Sequence, residues 1–264
     1  YSLMDHISTG EAWGFIGRKH HAKILPPYVG EADSDWYAGT ADAIYQNLNF
    51  MDRFDPEMVF VLSGDHIYKM DYNELLAFHK SKNADLTIAM QEVPWEDVHR
   101  FGIAVTDSDL RIVDFVEKSK TAPSNLASLG IYLFNRSFLE RVLNEDAEDE
   151  NSQHDFGKNV IPNNIKKSRV YAYIFKGYWR DVGTLDAYWN THQEALDPAS
   201  SGLDLEKWNI RTNMLLENLA NLQPMKTSSS ARIHNSIISP GCFIEGEVSD
   251  SILSAGVRVM PGAK

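Results

Sequence analysis

The chain has 264 residues, 43% of them hydrophobic and 11% aromatic, which is enough to fill a sizeable core and excludes intrinsic disorder. Against 25 Lys plus Arg stand 37 Asp plus Glu, a formal net charge of −12. That balance argues against binding to nucleic acid or a membrane surface, both of which need basic patches, but not against an anionic substrate carried by a divalent cation on carboxylates.

Cys242, the one cysteine, can form neither an internal disulfide nor a zinc site by itself. No run approaches the roughly 18 apolar residues of a membrane span, and nothing at the start reads as a signal peptide, so a soluble cytoplasmic protein is expected. Tyr1 and Lys264 both lie within patterned stretches, so the sequence reads as part of a longer chain.

In chain order, residues 1–30 suggest a helical opening, then a short strand and loop at 23–29. From Gly39 to Phe50 apolar residues fall at 41, 44, 45 and 48, and again at 51, the spacing of a helix face, with Thr40 as N-cap. Met58–Leu62 is apolar on both faces, as a buried parallel strand would be, and ends in Ser63-Gly64-Asp65. A helix at 72–80 and a strand at 86–90 follow. Strands are then expected at 101–105, 112–117 and 129–134, a helix at 137–143, a solvated acidic loop at 145–150 and a strand at 170–175. A helix at 185–196 closes this part. The alternation predicts an α/β fold with a doubly wound, mostly parallel sheet.

Residues 197–230, rich in Pro, Ser and Asn, read as a linker. Beyond 231, Asn235–Ile244 aligns with Asp250–Val259 at a shift of fifteen. Such a period suits rungs of a parallel β-helix, and a plain hairpin is the alternative. The organisation expected is thus a catalytic domain at 1–196, a linker at 197–230 and the start of a β-helix at 231–264.

Three motifs could carry chemistry. Asp65 follows the best buried strand, where open α/β sheets bind ligands, and could hold Mg²⁺ against phosphates or merely cap a turn. Asp181, in Trp179-Arg180-Asp181-Val182-Gly183-Thr184, offers a second carboxylate for Mg²⁺, or an ion pair with Arg180 or another basic residue. Glu117-Lys118 ends a strand with an acceptor for sugar hydroxyls and a point charge for phosphate, a pairing also common at plain strand ends. His20, His21 and His154 lack partners at metal-ligand spacing.

Taken together, Trp36–Ala41, Ser63–Tyr72, Phe115–Lys118, Ser128–Tyr132, His154–Lys158 and Tyr178–Thr184 stand in an order and at separations that resemble the bacterial glucose-1-phosphate adenylyltransferases, also called ADP-glucose pyrophosphorylases. The resemblance covers essentially the whole chain. It implies a sugar-phosphate nucleotidyltransferase fold ending in a left-handed β-helix, and Mg²⁺-dependent formation of ADP-glucose and pyrophosphate from ATP and α-D-glucose 1-phosphate, for glycogen biosynthesis. It implies that Tyr37, Gly102, Glu117, Lys118 and Ser128 hold the sugar phosphate, with Lys118 also catalytic. Gly39, Thr40 and Asp65 would meet the nucleotide, and Asp65 and Asp181 would bind the metal. It further implies a homotetramer at full length.

Two features depart from the family pattern. The N-terminal glycine-rich loop that cradles the triphosphate does not occur in the chain, so the chain as written is expected to be inactive. Ser119 stands where proline usually follows the Glu-Lys pair. The rival readings are a nucleotidyltransferase making a UDP- or dTDP-sugar and a non-catalytic regulatory subunit of the same fold.

Overall fold

The computed structural model describes residues 36–210 and 222–264, together with 22–27 and residues 4, 7, 10 and 13–15. By its contacts the chain divides into two compact units, one of 25–64 and 70–177, the other of 1–24, 65–69 and 178–264.

In the first unit the apolar runs pair into a six-stranded sheet. Its strands are β1 (Met58–Leu62), β3 (Leu86–Glu92), β4 (Gly102–Thr106), β5 (Ile112–Glu117), β6 (Leu126–Asn135) and β7 (Val170–Ile174), with β2 (His66–Tyr68) assigned to the other unit. The order is β5-β4-β6-β3-β7, with β1 also paired to β6. β3 is buried at its first five positions, as expected for a strand covered on both faces.

The expectation of a mostly parallel sheet fails. Among the described strands β3 and β7 are parallel neighbours, but β6 is antiparallel to β1, β3 and β4, and β4 is antiparallel to β5. β1, β3, β4 and β7 point one way, and β6 enters between them in reverse. An apolar run says nothing about strand direction, and β1, expected to be a buried parallel strand, pairs antiparallel with β6 and is only half-buried, with Leu62 exposed. β1 takes the Ile131–Asn135 half of β6, and β4 takes the Leu126–Ala127 end. Between them Gly130 adopts φ +64°, a conformation that glycine tolerates, and its carbonyl accepts the Ser63 N–H at 3.0 Å.

The helices pack on this sheet by one face. The helix expected at 39–50 is split into α1 (Thr40–Tyr45) and α2 (Leu48–Asp52). Asn47 makes the break, its amide donating to the Ala43 carbonyl at 2.8 Å in the competition with backbone bonding typical of this residue. Thr40 is not the N-cap; Gly39 occupies that position. Helix α3 (Tyr72–Ser81) is capped by Asp71, whose carboxylate accepts the Asn73 N–H at 2.9 Å.

Helix α4 (Arg136–Ala147) buries Phe138, Leu139, Val142 and Leu143. These join Leu86, Ile88, Met90, Phe134 and Phe156 in the main core. The acidic stretch is only partly the solvated loop expected: 145–147 completes α4, and Asp146 is buried, accepting from Ser152 Oγ at 2.7 Å and paired with His154 Nδ1 at 2.9 Å.

In the second unit β2 pairs antiparallel with β8 (Trp179–Asp181), and α5 (Leu185–Leu196) follows, capped by Thr184 accepting the Ala187 N–H at 3.2 Å. Short helical turns at Pro198–Ser201 and Leu205–Trp208 lie in the expected linker, of which 211–221 falls outside the described residues. Most of the expected helical opening also lies outside them, and 22–27 has no regular structure.

Beyond these, short strands pair in parallel, Arg232–His234 with Glu247–Ser249, Ile237–Ile238 with Ile252–Leu253, and Phe243–Ile244 with Arg258–Val259. In these three pairs the partner is fifteen residues away, so the sequence repeat is the register itself, while Phe243–Ile244 also pairs in parallel with Lys226–Thr227, seventeen residues before it; parallel pairing excludes a hairpin. The turns repeat too. Asn235 and Asp250 both have positive φ and are bonded at 2.8 Å, and Gly241 and Gly256 have φ of +77° and +75°. Cys242, Ile244 and Val248 fill the interior between these strands.

Candidate active site

Two groups of side chains answer to the motifs, one in each unit. In the second unit the β2–β8 ladder sets His66 opposite Asp181, Ile67 opposite Arg180 and Tyr68 opposite Trp179. Directly opposed residues in an antiparallel ladder project to the same face. With Asp65 immediately before β2, one ligand atom each from Asp65, His66 and Asp181 lies within 4.8 Å of the others. His66 Nε2 stands 3.6 Å from Asp65 Oδ1, and the Asp65 side chain is 74% exposed. Asp181 Oδ1 accepts the Gly183 N–H at 2.9 Å, and a Cβ at 183 would sit 3.0 Å from that oxygen.

The helix at Tyr72–Ser81 is capped by Asp71 and not by Asp65. Arg180, one partner considered for Asp181, points to the other face of β8 and grips Glu194 with Nε at 3.1 Å from both oxygens and Nη2 at 2.7 Å. Tyr178 also donates to Glu194. Burial raises the Glu194 carboxyl, but these bonds outweigh it and hold the group below the usual carboxylate range. The set at Asp65 and Asp181 fits a hard divalent ion, since Mg²⁺ takes one or two protein carboxylates and completes its shell with phosphate oxygens and water.

In the first unit β5 ends at Glu117, opposite Gly102 of β4. The Glu117 carboxylate lies between two glycines: a Cβ at Gly102 would stand 2.6 Å from Oε2, and one at Gly157 would stand 2.5 Å from it. Burial pushes this carboxyl up; Lys118 and Lys158 oppose the rise and Asp155 adds to it. Lys118 Nζ is 3.9 Å from Glu117 Oε1, and its backbone is left-handed at φ +49°, held there by its N–H donating to the Phe101 carbonyl at 2.9 Å. Nearby, Tyr132 hydrogen-bonds Ser128, and burial of the phenol pushes its pKa up to about 12, with Glu117 and Asp155 contributing to the rise.

The Trp36–Ala41 and His154–Lys158 motifs meet at one turn. Thr40 Oγ1 donates to Asp155 Oδ2 at 3.1 Å and accepts the Phe156 N–H at 3.1 Å. The His154 carbonyl receives the Ala41 N–H at 2.8 Å, and a Cβ at Gly39 would stand 2.2 Å from that oxygen. Gly39 and Thr40 are thereby tied to the loop whose Asp155 and Gly157 flank Glu117. Tyr37 is engaged elsewhere, donating to the Leu25 carbonyl and accepting from Asn47 Nδ2, both at 3.0 Å.

Gly102 and Lys118 therefore lie at the Glu117 carboxylate, Ser128 is linked to this region through Tyr132, and Asp65 and Asp181 come together in the other unit. Sequence reasoning missed His66, Asp155, Gly157 and Tyr132. The signal for His66 was its place next to Asp65, and the other three lie inside motifs whose neighbours were singled out.

The family described as Nucleotidyl transferase matches residues 2–198. A glucose-1-phosphate adenylyltransferase of Desulfitobacterium hafniense strain Y51 is 45% identical over all 264 residues, which cover 65% of that protein. Proteins of the same name from Thermosipho melanesiensis and Clostridium acetobutylicum are 48% and 46% identical over 98% of the chain, which covers 62% and 67% of their lengths. The chain thus spans about two thirds of the length of the curated relatives it matches. Among the described residues no helix is long and apolar enough to cross a membrane. On this likeness the chain belongs to the nucleotidyl transferase family, among its glucose-1-phosphate adenylyltransferases.

Proposed function

We propose that this protein transfers the adenylyl group of ATP to α-D-glucose 1-phosphate, giving ADP-glucose and pyrophosphate for glycogen biosynthesis. A phosphate oxygen of the sugar phosphate attacks the α-phosphorus of ATP. The bond from that phosphorus to the bridging oxygen breaks, and pyrophosphate leaves with the electron pair. No covalent enzyme intermediate is needed. Catalysis is then mainly positioning and charge compensation.

Asp65 and Asp181 would hold Mg²⁺ on the nucleotide phosphates. Mg²⁺, when bound, offsets the charge gathered at the α-phosphate. Glu117 accepts hydrogen bonds from sugar hydroxyls, its place kept open by Gly102 and Gly157, and Ser128 supports the same pocket. Lys118 meets the incoming phosphate with its ammonium group. Gly39 and Thr40 receive the nucleotide, and Tyr37 borders the sugar phosphate through its backbone segment rather than its engaged hydroxyl.

The observation that carries this reading is the cluster of Asp65 and Asp181 ligand atoms within 4.8 Å. It disfavours a non-catalytic regulatory subunit, in which such a pair has no task. The names of the relatives favour ADP-glucose over a UDP- or dTDP-sugar. We read the fifteen-residue stacking as the first rungs of a left-handed β-helix, and the complete protein as a cytoplasmic homotetramer. The test is pyrophosphate release from glucose 1-phosphate and Mg²⁺ with ATP, UTP or dTTP. ATP should be preferred strongly, and preference for UTP or dTTP would replace this assignment with its rival.

A further inference from the structure

We propose that His66 supplies a nitrogen ligand to the divalent ion at Asp65 and Asp181, so that the site binds Mn²⁺ or Co²⁺ more tightly than Mg²⁺. The inference rests on the metal reading of the two aspartates and adds a third protein ligand to it.

The backbone puts His66 there. It is the residue opposite Asp181 in the β2–β8 ladder and the neighbour of Asp65 in the chain, so both carboxylates flank its ring. Its Nε2 lies 3.6 Å from Asp65 Oδ1, and one of its ring nitrogens belongs to the set of ligand atoms within 4.8 Å. Adjacent ligands about 2.1 Å from an octahedral ion stand roughly 3.0 Å apart. A shift of about 0.6 Å therefore brings Asp65 and His66 into one coordination shell, and the largely exposed Asp65 side chain can supply it.

The imidazole is the fixed partner. Its side chain is 13% exposed, and the ring packs edge-on against Trp179 with centroids 5.1 Å apart at 79°. A carboxylate and water shell suits Mg²⁺, whereas imidazole nitrogen adds affinity for first-row transition metals. The other buried or half-buried histidines of the described residues are His79, His154 and His192. His79 is bonded to Thr87 and Asn135, and His154 to Asp146.

The test is Mn²⁺ binding to the full chain, followed by the electron paramagnetic resonance of unbound Mn²⁺, with electron spin-echo modulation of bound Mn²⁺ to detect a directly coordinated imidazole nitrogen. Wild type should show that nitrogen coupling without recourse to any variant. His66→Gln, and His66→Asn if the first fails to fold, should abolish it and raise the Mn²⁺ Kd by about tenfold or more, with a smaller change for Mg²⁺. His154→Gln should keep it. Mn²⁺ that is lost in Asp181→Asn yet shows only oxygen ligands in wild type overturns the role of His66 and leaves the metal reading standing. Mn²⁺ binding indifferent to both Asp65→Asn and Asp181→Asn overturns the metal reading, and this inference with it.

Discussion

Replacing Gly157 by alanine separates a binding role for Glu117 from a structural one. The new Cβ would stand 2.5 Å from Glu117 Oε2, 2.9 Å from its Cδ and 3.4 Å from Asp155 Oδ1. Carbon and oxygen approach to roughly 3.3 Å, so the carboxylate must retreat by about 0.8 Å. It has little room towards β4, where the Gly102 backbone already lies close. A displacement of that size turns a 2.8 Å hydrogen bond into a non-bonded contact. Losing one bond to a charged acceptor costs about 1.5–3 kcal/mol, which at about 1.4 kcal/mol per decade is a 10- to 150-fold rise in KM for the sugar phosphate. The fold should survive, because the clash is with the far end of a side chain. Alanine also gains about 0.5–1 kcal/mol over glycine in helical backbone, which 156–160 approaches. The assay is KM and kcat for glucose 1-phosphate by pyrophosphate release, with Tm measured in parallel. A KM within twofold of wild type in a folded variant refutes the placement of the sugar at Glu117.

Other perturbations read different parts of the site. At Gly64 an added Cβ meets nothing within 4 Å, so Gly64→Ala should leave Tm within about 2 °C while raising KM for ATP if the nucleotide approaches this backbone. Lys118→Ala and Lys118→Gly both remove the charge and should cut turnover alike. The glycine variant should be more stable by about 1 kcal/mol in urea unfolding, because it relieves the left-handed backbone at φ +49°. Glu117→Gln should stabilise the protein near neutral pH. The folded carboxyl titrates above its unfolded value of about 4.3, so ionisation costs stability as pH rises past that value, most fully above the folded pKa. The gain in Tm should vanish at more acidic pH, and a gain independent of pH would contradict it.

Much of the fold was legible because burial leaves a period. Met58–Leu62, Ile112–Glu117 and Leu185–Leu196 match their expected bounds, and the fifteen-residue shift is the observed register. What stayed hidden depends on partners distant in sequence. The reverse direction of β6 is set by pairing with three other strands, and the break at Asn47 by a side chain that competes for a helix carbonyl. Thr40 looked like a cap, yet its hydroxyl serves Asp155, 115 residues away. The left-handed backbone at Lys118 goes with a hydrogen bond from its N–H to the Phe101 carbonyl, a partner that no local pattern announces.

The most direct test of the account is turnover of Asp65→Asn, Asp181→Asn and the double variant at saturating Mg²⁺, in protein whose Tm shows it folded. Asparagine keeps the shape and removes the charge, so each single change should lower kcat by about 100-fold or more. Because the two carboxylates act on one ion, the double variant should fall close to the worse single one rather than to the product of the two losses. Near-normal turnover in either single variant, or losses that multiply fully in the double variant, would contradict a shared metal site.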